Sequence, residues 1–148
     1  MDVRDVKREE IPVWAEMRTV LWPQYDEDHT PELEKYFAGT SNDVVQTFVA
    51  EVEGSIAGFI EINIRNFAEG SVESAVPFVE AWFVKPEFRG RGVGSALMKS
   101  AEAWAVAQGY SELASDADET NLDSIDLHYR LNFKETARVV CFLKKLNT

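Results

Sequence analysis

The run Val79-Glu80-Ala81-Trp82-Phe83-Val84-Lys85-Pro86-Glu87-Phe88-Arg89-Gly90-Arg91-Gly92-Val93-Gly94 carries an apolar strand into a basic, glycine-rich turn that opens a helix. Such a turn is a seat for phosphate. Glycines let the backbone turn tightly and approach a ligand, and the N–H groups of a helix's first turn are unpaired and sit at the positive end of its dipole. Arg89 and Arg91 add charge beside that site. A P-loop would need Gly-Lys followed by Ser or Thr, which this run lacks. A dinucleotide fingerprint beginning at Gly90 would need Gly or Ala where Ser95 stands, and a repeating strand-helix-strand unit with an acidic ribose reader. What remains is Arg89-x-x-Gly92-x-Gly94 directly after a strand. Its bland alternative is a glycine-rich connection with surface arginines.

Composition narrows the rest. A chain of 148 residues reads as a single domain, residues 1–148, able to bury roughly two-thirds of the surface its unfolded form exposes. With 45% hydrophobic residues and no long Gly/Ser/Pro tract it is globular. No apolar run approaches the roughly 18 residues needed to span a bilayer, and the first residues lack a basic segment followed by an apolar one. A cytoplasmic protein without membrane contact is therefore expected. The net charge of −11 argues against nucleic acid and suits a cationic partner. Cys141 is the only cysteine and lies among apolar residues, so it is read as a buried, reduced thiol. No pattern of metal ligands is seen.

Residues 9–22 place Ile11, Trp14, Ala15, Arg18, Leu21 and Trp22 at helical spacing, with Pro23 as the stop. Thr30-Pro31-Glu32 reads as a cap, a first-position proline and a first-turn acid, and Gly39 closes that second helix. Residues 44–52 and 56–64 are β-type runs across a Glu53-Gly54-Ser55 turn. After a polar loop, 65–75, comes the strand 76–84 and then a helix with Val93, Ala96, Leu97, Ala101, Trp104 and Ala105 on one face and Gly109 at its end. Residues 111–115 read as a short strand, 121–131 as a helix and 133–146 as a closing strand or hairpin. The order is α+β: helices first, then a meander, then a strand-helix-strand unit.

That order, together with Arg89-x-x-Gly92-x-Gly94, resembles the GNAT N-acetyltransferase superfamily over essentially the whole chain. The resemblance implies a central mixed, mostly antiparallel twisted sheet flanked by helices. It also implies acetyl-CoA as co-substrate, with its pyrophosphate on Arg89, Gly90, Arg91, Gly92, Val93 and Gly94. The pantetheine arm would bond to the backbone around Trp82, Phe83 and Val84, where the strand splays from its neighbour, and Asn121 would contact the cofactor. Leu127-His128-Tyr129-Arg130-Leu131-Asn132-Phe133 is similar to the family's closing helix. Asn132 stands where glycine is usual, a tolerable change because Asn also enters the left-handed region.

Leu21-Trp22-Pro23, Ile64-Arg65, Phe78-Val79-Glu80, Ala114-Ser115-Asp116-Ala117, Asn121, His128 and Phe133-Lys134-Glu135-Thr136 together resemble the bacterial aminoglycoside 6'-N-acetyltransferases. By that resemblance Trp22 and Phe67 line the antibiotic pocket, Glu80 and Asp116 face its ammonium groups, and the enzyme is a homodimer. The chemistry suits these residue types. An amine attacks a thioester only when deprotonated, and a carboxylate beside it can hold the cation and take its proton. Glu80 interrupts an apolar run, where an unpaired charge is costly, and is the expected base. His128 stands where many members place a tyrosine, so the proton for the thiolate is expected from His128, from Tyr129, or from no dedicated residue. The fold would equally serve another cationic amine or a protein amino terminus. A non-catalytic acyl-CoA-binding module is the reading from a different class.

Overall fold

The computed structural model describes residues 1–147 and contains an antiparallel sheet with strands in the order β1-β2-β3-β4. The strands are β1 (Asp2–Asp5), β2 (Gln46–Val52), β3 (Ser55–Arg65) and β4 (Val76–Val84). Helices α1 (Ile11–Leu21) and α2 (Thr30–Ala38) precede β2, α3 (Val93–Ala107) follows β4, and α4 (Leu122–Arg130) lies near the C-terminus. A strand, not a helix, therefore comes first. β1 was hidden because Asp2-Val3-Arg4-Asp5 is mostly charged, as edge strands often are.

β3 and β4 are buried on both faces because helices cover both sides of the sheet. On one face Val49, Phe59, Ala81 and Phe83 pack with Trp14, Met17 and Leu33 of α1 and α2. On the other, Ala50, Ile60, Ile62 and Val79 pack with Val93, Leu97, Met98 and Ala101 of α3. Gly58 is required by this second layer, since a Cβ there would stand 2.4 Å from the Phe83 carbonyl oxygen. Trp14 is fully buried as its spacing predicts, and Trp104 packs partly buried against the α3 layer.

Glu61 of β3 is a buried acid inside the first layer. Its carboxylate accepts hydrogen bonds from Trp14 Nε1 at 2.8 Å and, from both ends of one guanidinium, Arg18 Nε and Nη2 at 2.7 Å each. Arg18 continues to His29 Nδ1 at 3.5 Å and lies over the Trp22 ring, 5.3 Å from its centroid. One buried ion pair thus joins the central strand to the segment that ends α1 and begins α2.

Several local expectations change. Thr30 is the first residue of α2 and not its cap; the segment is held instead by the Asp28 carboxylate, which accepts from the Thr30 N–H at 3.0 Å. Gly39 and Gly109 follow their helices in the left-handed conformation expected of them, and Asn132 adopts φ 70°. The strand read at 111–115 is reduced to a single parallel bridge between Phe78 and Ala114. No strand forms within 133–146, and Cys141 is exposed, not buried. The apolar residues around that cysteine find no surface of their own chain to cover them.

Candidate acyl-transfer site

The glycine turn is built as a helix N-terminus stripped of side-chain caps. Gly92 occupies the cap position of α3 at φ 80°, a conformation that strains any residue with a Cβ. The first backbone bond of the helix runs from Ala96 N–H to the Gly92 carbonyl at 3.0 Å, so the amides of Val93, Gly94 and Ser95 point outward without intrahelical acceptors. Arg89 Nε donates to the Val84 carbonyl at 3.0 Å and fastens the turn to the end of β4. Trp82 Nε1 donates to the Gly94 carbonyl at 3.0 Å, which locks the strand to the helix's first turn. Residues 82–94 therefore form one rigid piece, and their donor set suits a pyrophosphate: free amides, a dipole and the cations of Arg89 and Arg91.

β4 is paired along β3 but only briefly on its other side. Val79 N–H donates to the Ala114 carbonyl and Ala114 N–H to the Pro77 carbonyl, both at 2.9 Å. Beyond Val79, among the described residues, no strand lies along that edge. The outer edge from Ala81 to Val84 can therefore accept an extended ligand as an added strand would.

Glu80 stands where the edge opens. The β3–β4 register passes from Glu61 opposite Ala81 to Ile62 opposite Val79, so Glu80 is the extra residue of a β-bulge. A bulge re-aims its side chain and weakens local pairing, which explains how an acid is accommodated in an apolar run. The carboxylate is not unpaired, as the sequence suggested. Arg65 Nε and Nη2 donate to its two oxygens at 2.7 and 2.8 Å, and the same guanidinium lies 3.6 Å from the Phe78 ring centroid. The bonds to Glu80, reinforced by the charges of Glu80 and Asp116 and opposed by partial burial, push the Arg65 guanidinium above its ordinary value. Arg65 thus sits between the two carboxylates expected to face the acceptor.

His128 is held on all sides. Its Nδ1 lies 2.7 Å from the Ser124 carbonyl oxygen, which can only accept, so the proton is on Nδ1. Nε2 forms a second hydrogen bond, with the Ser115 hydroxyl at 2.8 Å. The ring meets Trp82 and Phe133 edge-on, each at 5.1 Å. This imidazole joins α4 to residues 114–116 and to the strand that borders the cofactor edge. Asn121 caps α4, its Oδ1 accepting from Ser124 N–H at 3.2 Å, which leaves its amide N–H groups free to donate.

Asp116 is exposed directly after the Ala114 bridge, and Phe67 is exposed on the loop after β3. Trp22 is half-buried at the end of α1 against His29 and Arg18. The structure thus gathers Glu80, Asp116 and Trp82 around β4, while Trp22 and Phe67 stand on separate connections. Sequence reading places Arg65 within a motif but gives it no role, and it does not find the Arg18–Glu61 pair. Their signal was present: Glu61, like Glu80, breaks an apolar strand, and Arg18 falls on the buried stripe of α1.

A layered α+β sheet whose last strand leaves an open edge at a bulge beside a capless helix N-terminus is the architecture of an acyl-CoA-dependent acyltransferase. The family described as acetyltransferase (GNAT) matches residues 14–133. The chain is 38% identical over 97% of its length, and 96% of the relative's, to the aminoglycoside N(6')-acetyltransferase type 1 of Klebsiella aerogenes. It is 34% identical to the protein of the same name from Salmonella typhimurium, over 98% of this chain and 99% of that one. Among solved structures it is similar to AAC(6')-Iy in complex with the bisubstrate analogue CoA-S-monomethyl-acetylneamine, with a TM-score of 0.87, 31% identity and 98% of each chain covered. The chain belongs to the GNAT acetyltransferase family.

Proposed function

We propose that this protein transfers the acetyl group of acetyl-CoA to the 6'-amine of aminoglycosides, by direct attack within a ternary complex. The observation that carries the chemistry is Glu80: a carboxylate thrust out at a bulge, where β4 loses its outer neighbour and the thioester arm would lie. The relatives' names and the bisubstrate complex of AAC(6')-Iy support the acceptor.

In this reading Arg89, Arg91 and the amides of Val93, Gly94 and Ser95 hold the pyrophosphate, with Gly90 and Gly92 giving the turn its path. The pantetheine lies along Trp82, Phe83 and Val84, and Asn121 donates to the cofactor. Asp116 and Glu80 attract the ammonium groups, and Trp22 and Phe67 wall the sugar ring. Glu80 takes the proton from the attacking amine, directly or through water. The amine nitrogen bonds to the thioester carbon, the carbon–sulfur bond breaks, and coenzyme A leaves as thiolate. Its proton comes from solvent: His128 carries its own on Nδ1, committed to Ser124, so we assign that residue to alignment of residues 114–116. We also propose a cytoplasmic homodimer; the dimer is supported by the apolar side chains left exposed near the C-terminus.

Thiol release from acetyl-CoA tests the acceptor, using paired kanamycin-type compounds that carry or lack the 6'-amine. Release is expected only with the 6'-amine present; equal release with both, or none with either, rejects the assignment.

A further inference from the structure

Arg18 and Glu61 are charged groups sunk in the apolar layer beneath α1, their side chains 9% and 1% exposed. Stability alone does not account for them. A buried ion pair is commonly no more stable than apolar side chains of the same volume, although its hydrogen bonds fix geometry more narrowly. Here the guanidinium is held several times over. Its Nε and Nη2 grip the two Glu61 oxygens, its Nη1 lies 3.5 Å from His29 Nδ1, and its central carbon lies 5.9 Å from the Trp14 ring centroid and 5.3 Å from that of Trp22.

The two ends of this assembly are two parts of the candidate site. One end is the bulge of β4. Glu61 is the β3 residue opposite Ala81, and the register slips between Glu61 and Ile62, which admits Glu80 as the extra residue. The other end is Trp22, which closes α1 with its N–H on the Arg18 carbonyl at 2.9 Å, so backbone as well as side chain ties it to Arg18. The chain then departs through residues 23–28 and returns at His29, whose ring lies 6.1 Å from the Trp22 ring. His29 is 3% exposed, and its Nε2 has no hydrogen-bond partner among the described residues. An orphaned polar atom in the interior is destabilising, so the fold alone does not account for this histidine either.

We infer that Arg18 is a positioning residue of the transfer reaction: through Glu61 and Trp22 it fixes the spacing between the base and the wall of the acceptor pocket, and His29 braces Trp22 beside it. The inference rests on the acceptor reading above, in which Glu80 takes the amine's proton and Trp22 walls the sugar ring. A misplacement of about 1 Å between such groups costs a factor of about 10² in rate. A strand bulge and a helix end belong to different elements, and they share a reference only where something rigid joins them. The planar fork of a guanidinium does so; a lysine ammonium, a point charge on a flexible stem, does not. The cofactor seat carries its own bonds, from Trp82 to Gly94 and from Arg89 to Val84, and does not share this dependence.

A double-mutant cycle on the full-length protein separates positioning from support of the fold. Arg18→Lys keeps a cation beside Glu61, and circular dichroism melts establish that each variant is folded at the assay temperature. With acetyl-CoA and a kanamycin-type acceptor bearing the 6'-amine, Arg18→Lys is expected to lower acceptor kcat/KM by about tenfold or more when Trp22 is present, and by less than about threefold in a Trp22→Leu background. Acetyl-CoA affinity by calorimetry is expected to stay within about twofold of the parent. His29→Leu leaves the Arg18–Glu61 bonds in place and is expected to show the same dependence on Trp22 with a loss of about threefold to tenfold, so it carries the test alone if Arg18→Lys does not fold. Equal losses in both Trp22 backgrounds, or an equal loss of acetyl-CoA affinity, overturn the positioning role and leave the acceptor reading standing. Parental activity of Arg18→Lys, beside a Trp22→Leu variant that is impaired, does the same. A Trp22→Leu variant as active as the parent removes the wall itself, and a parent protein without acceptor-dependent thiol release overturns the acceptor reading and the inference together.

Discussion

Residues 82–109 and residues 111–147 follow one another and flank the same carboxylate, yet they are held together by different means. The first stretch is closed. Trp82 is bonded to Gly94, Arg89 to Val84, and α3 buries Val93, Leu97, Met98 and Ala101 against the sheet. The second is held by one bridge at Ala114, by the Ser71 hydroxyl on Glu112, by His128 between Ser115 and Ser124, and by Leu113, Leu131 and Phe133 packing partly buried against the core, while residues 134–147 stay exposed. A site whose two sides differ so much in internal bonding can bind one substrate with a preformed surface and the other with a surface that is completed by something else.

Glu80 lies on the seam, and its replacement breaks the comparison most sharply. Glu80→Gln is expected to lower turnover by about 10²–10⁴-fold and to remove one limb of the pH–rate profile, with acetyl-CoA affinity by calorimetry unchanged. An unaltered profile would take the base role away. Next in size is the closed body's buried pair: Arg18→Met leaves Glu61 buried without its cation, which costs about 3–5 kcal/mol of stability in denaturant titration. A loss below about 1 kcal/mol would mean that Glu61 is kept neutral or hydrated.

Gly92→Val strains the left-handed cap of α3 and tilts the free amides. Acetyl-CoA is expected to bind about 30-fold more weakly, while the apparent affinity for the antibiotic in the presence of saturating cofactor changes little; equal losses would place the acceptor on the same rigid piece. Arg65→Met probes the boundary more gently. Removing the cation between Glu80 and Asp116 leaves a more negative site, so acceptor KM is expected to fall several-fold as kcat falls through loss of alignment. A rise in KM would show that Arg65 itself binds the acceptor.

The same contrast decides what could be read in the sequence. Arg89-x-x-Gly92-x-Gly94, the apolar stripe of α3 and the strand before it are local features whose periodicity and backbone demands act within a few residues, and the structure keeps them where they were placed. Glu80 was legible as an odd acid in an apolar run, but its bulge depends on register with β3, whose residues lie 15 or more positions away in the chain, and its pairing with Arg65 on that register. The Glu61–Arg18 pair is hidden for the same reason: nothing local tells which helix arginine meets which strand acid. The C-terminal segment was read as a strand because its composition is that of a strand. Composition carries no information on whether the neighbour is the same chain or another, and here the single chain leaves Val139 to Leu143 uncovered.

The most direct measurement is the position of the acetyl group itself. Proton–carbon NMR of the product formed from acetyl-CoA and a kanamycin-type aminoglycoside is expected to show one acetyl, on the 6'-nitrogen. Acetylation at any other amine, or a product from an acceptor lacking the 6'-amine, would contradict the account.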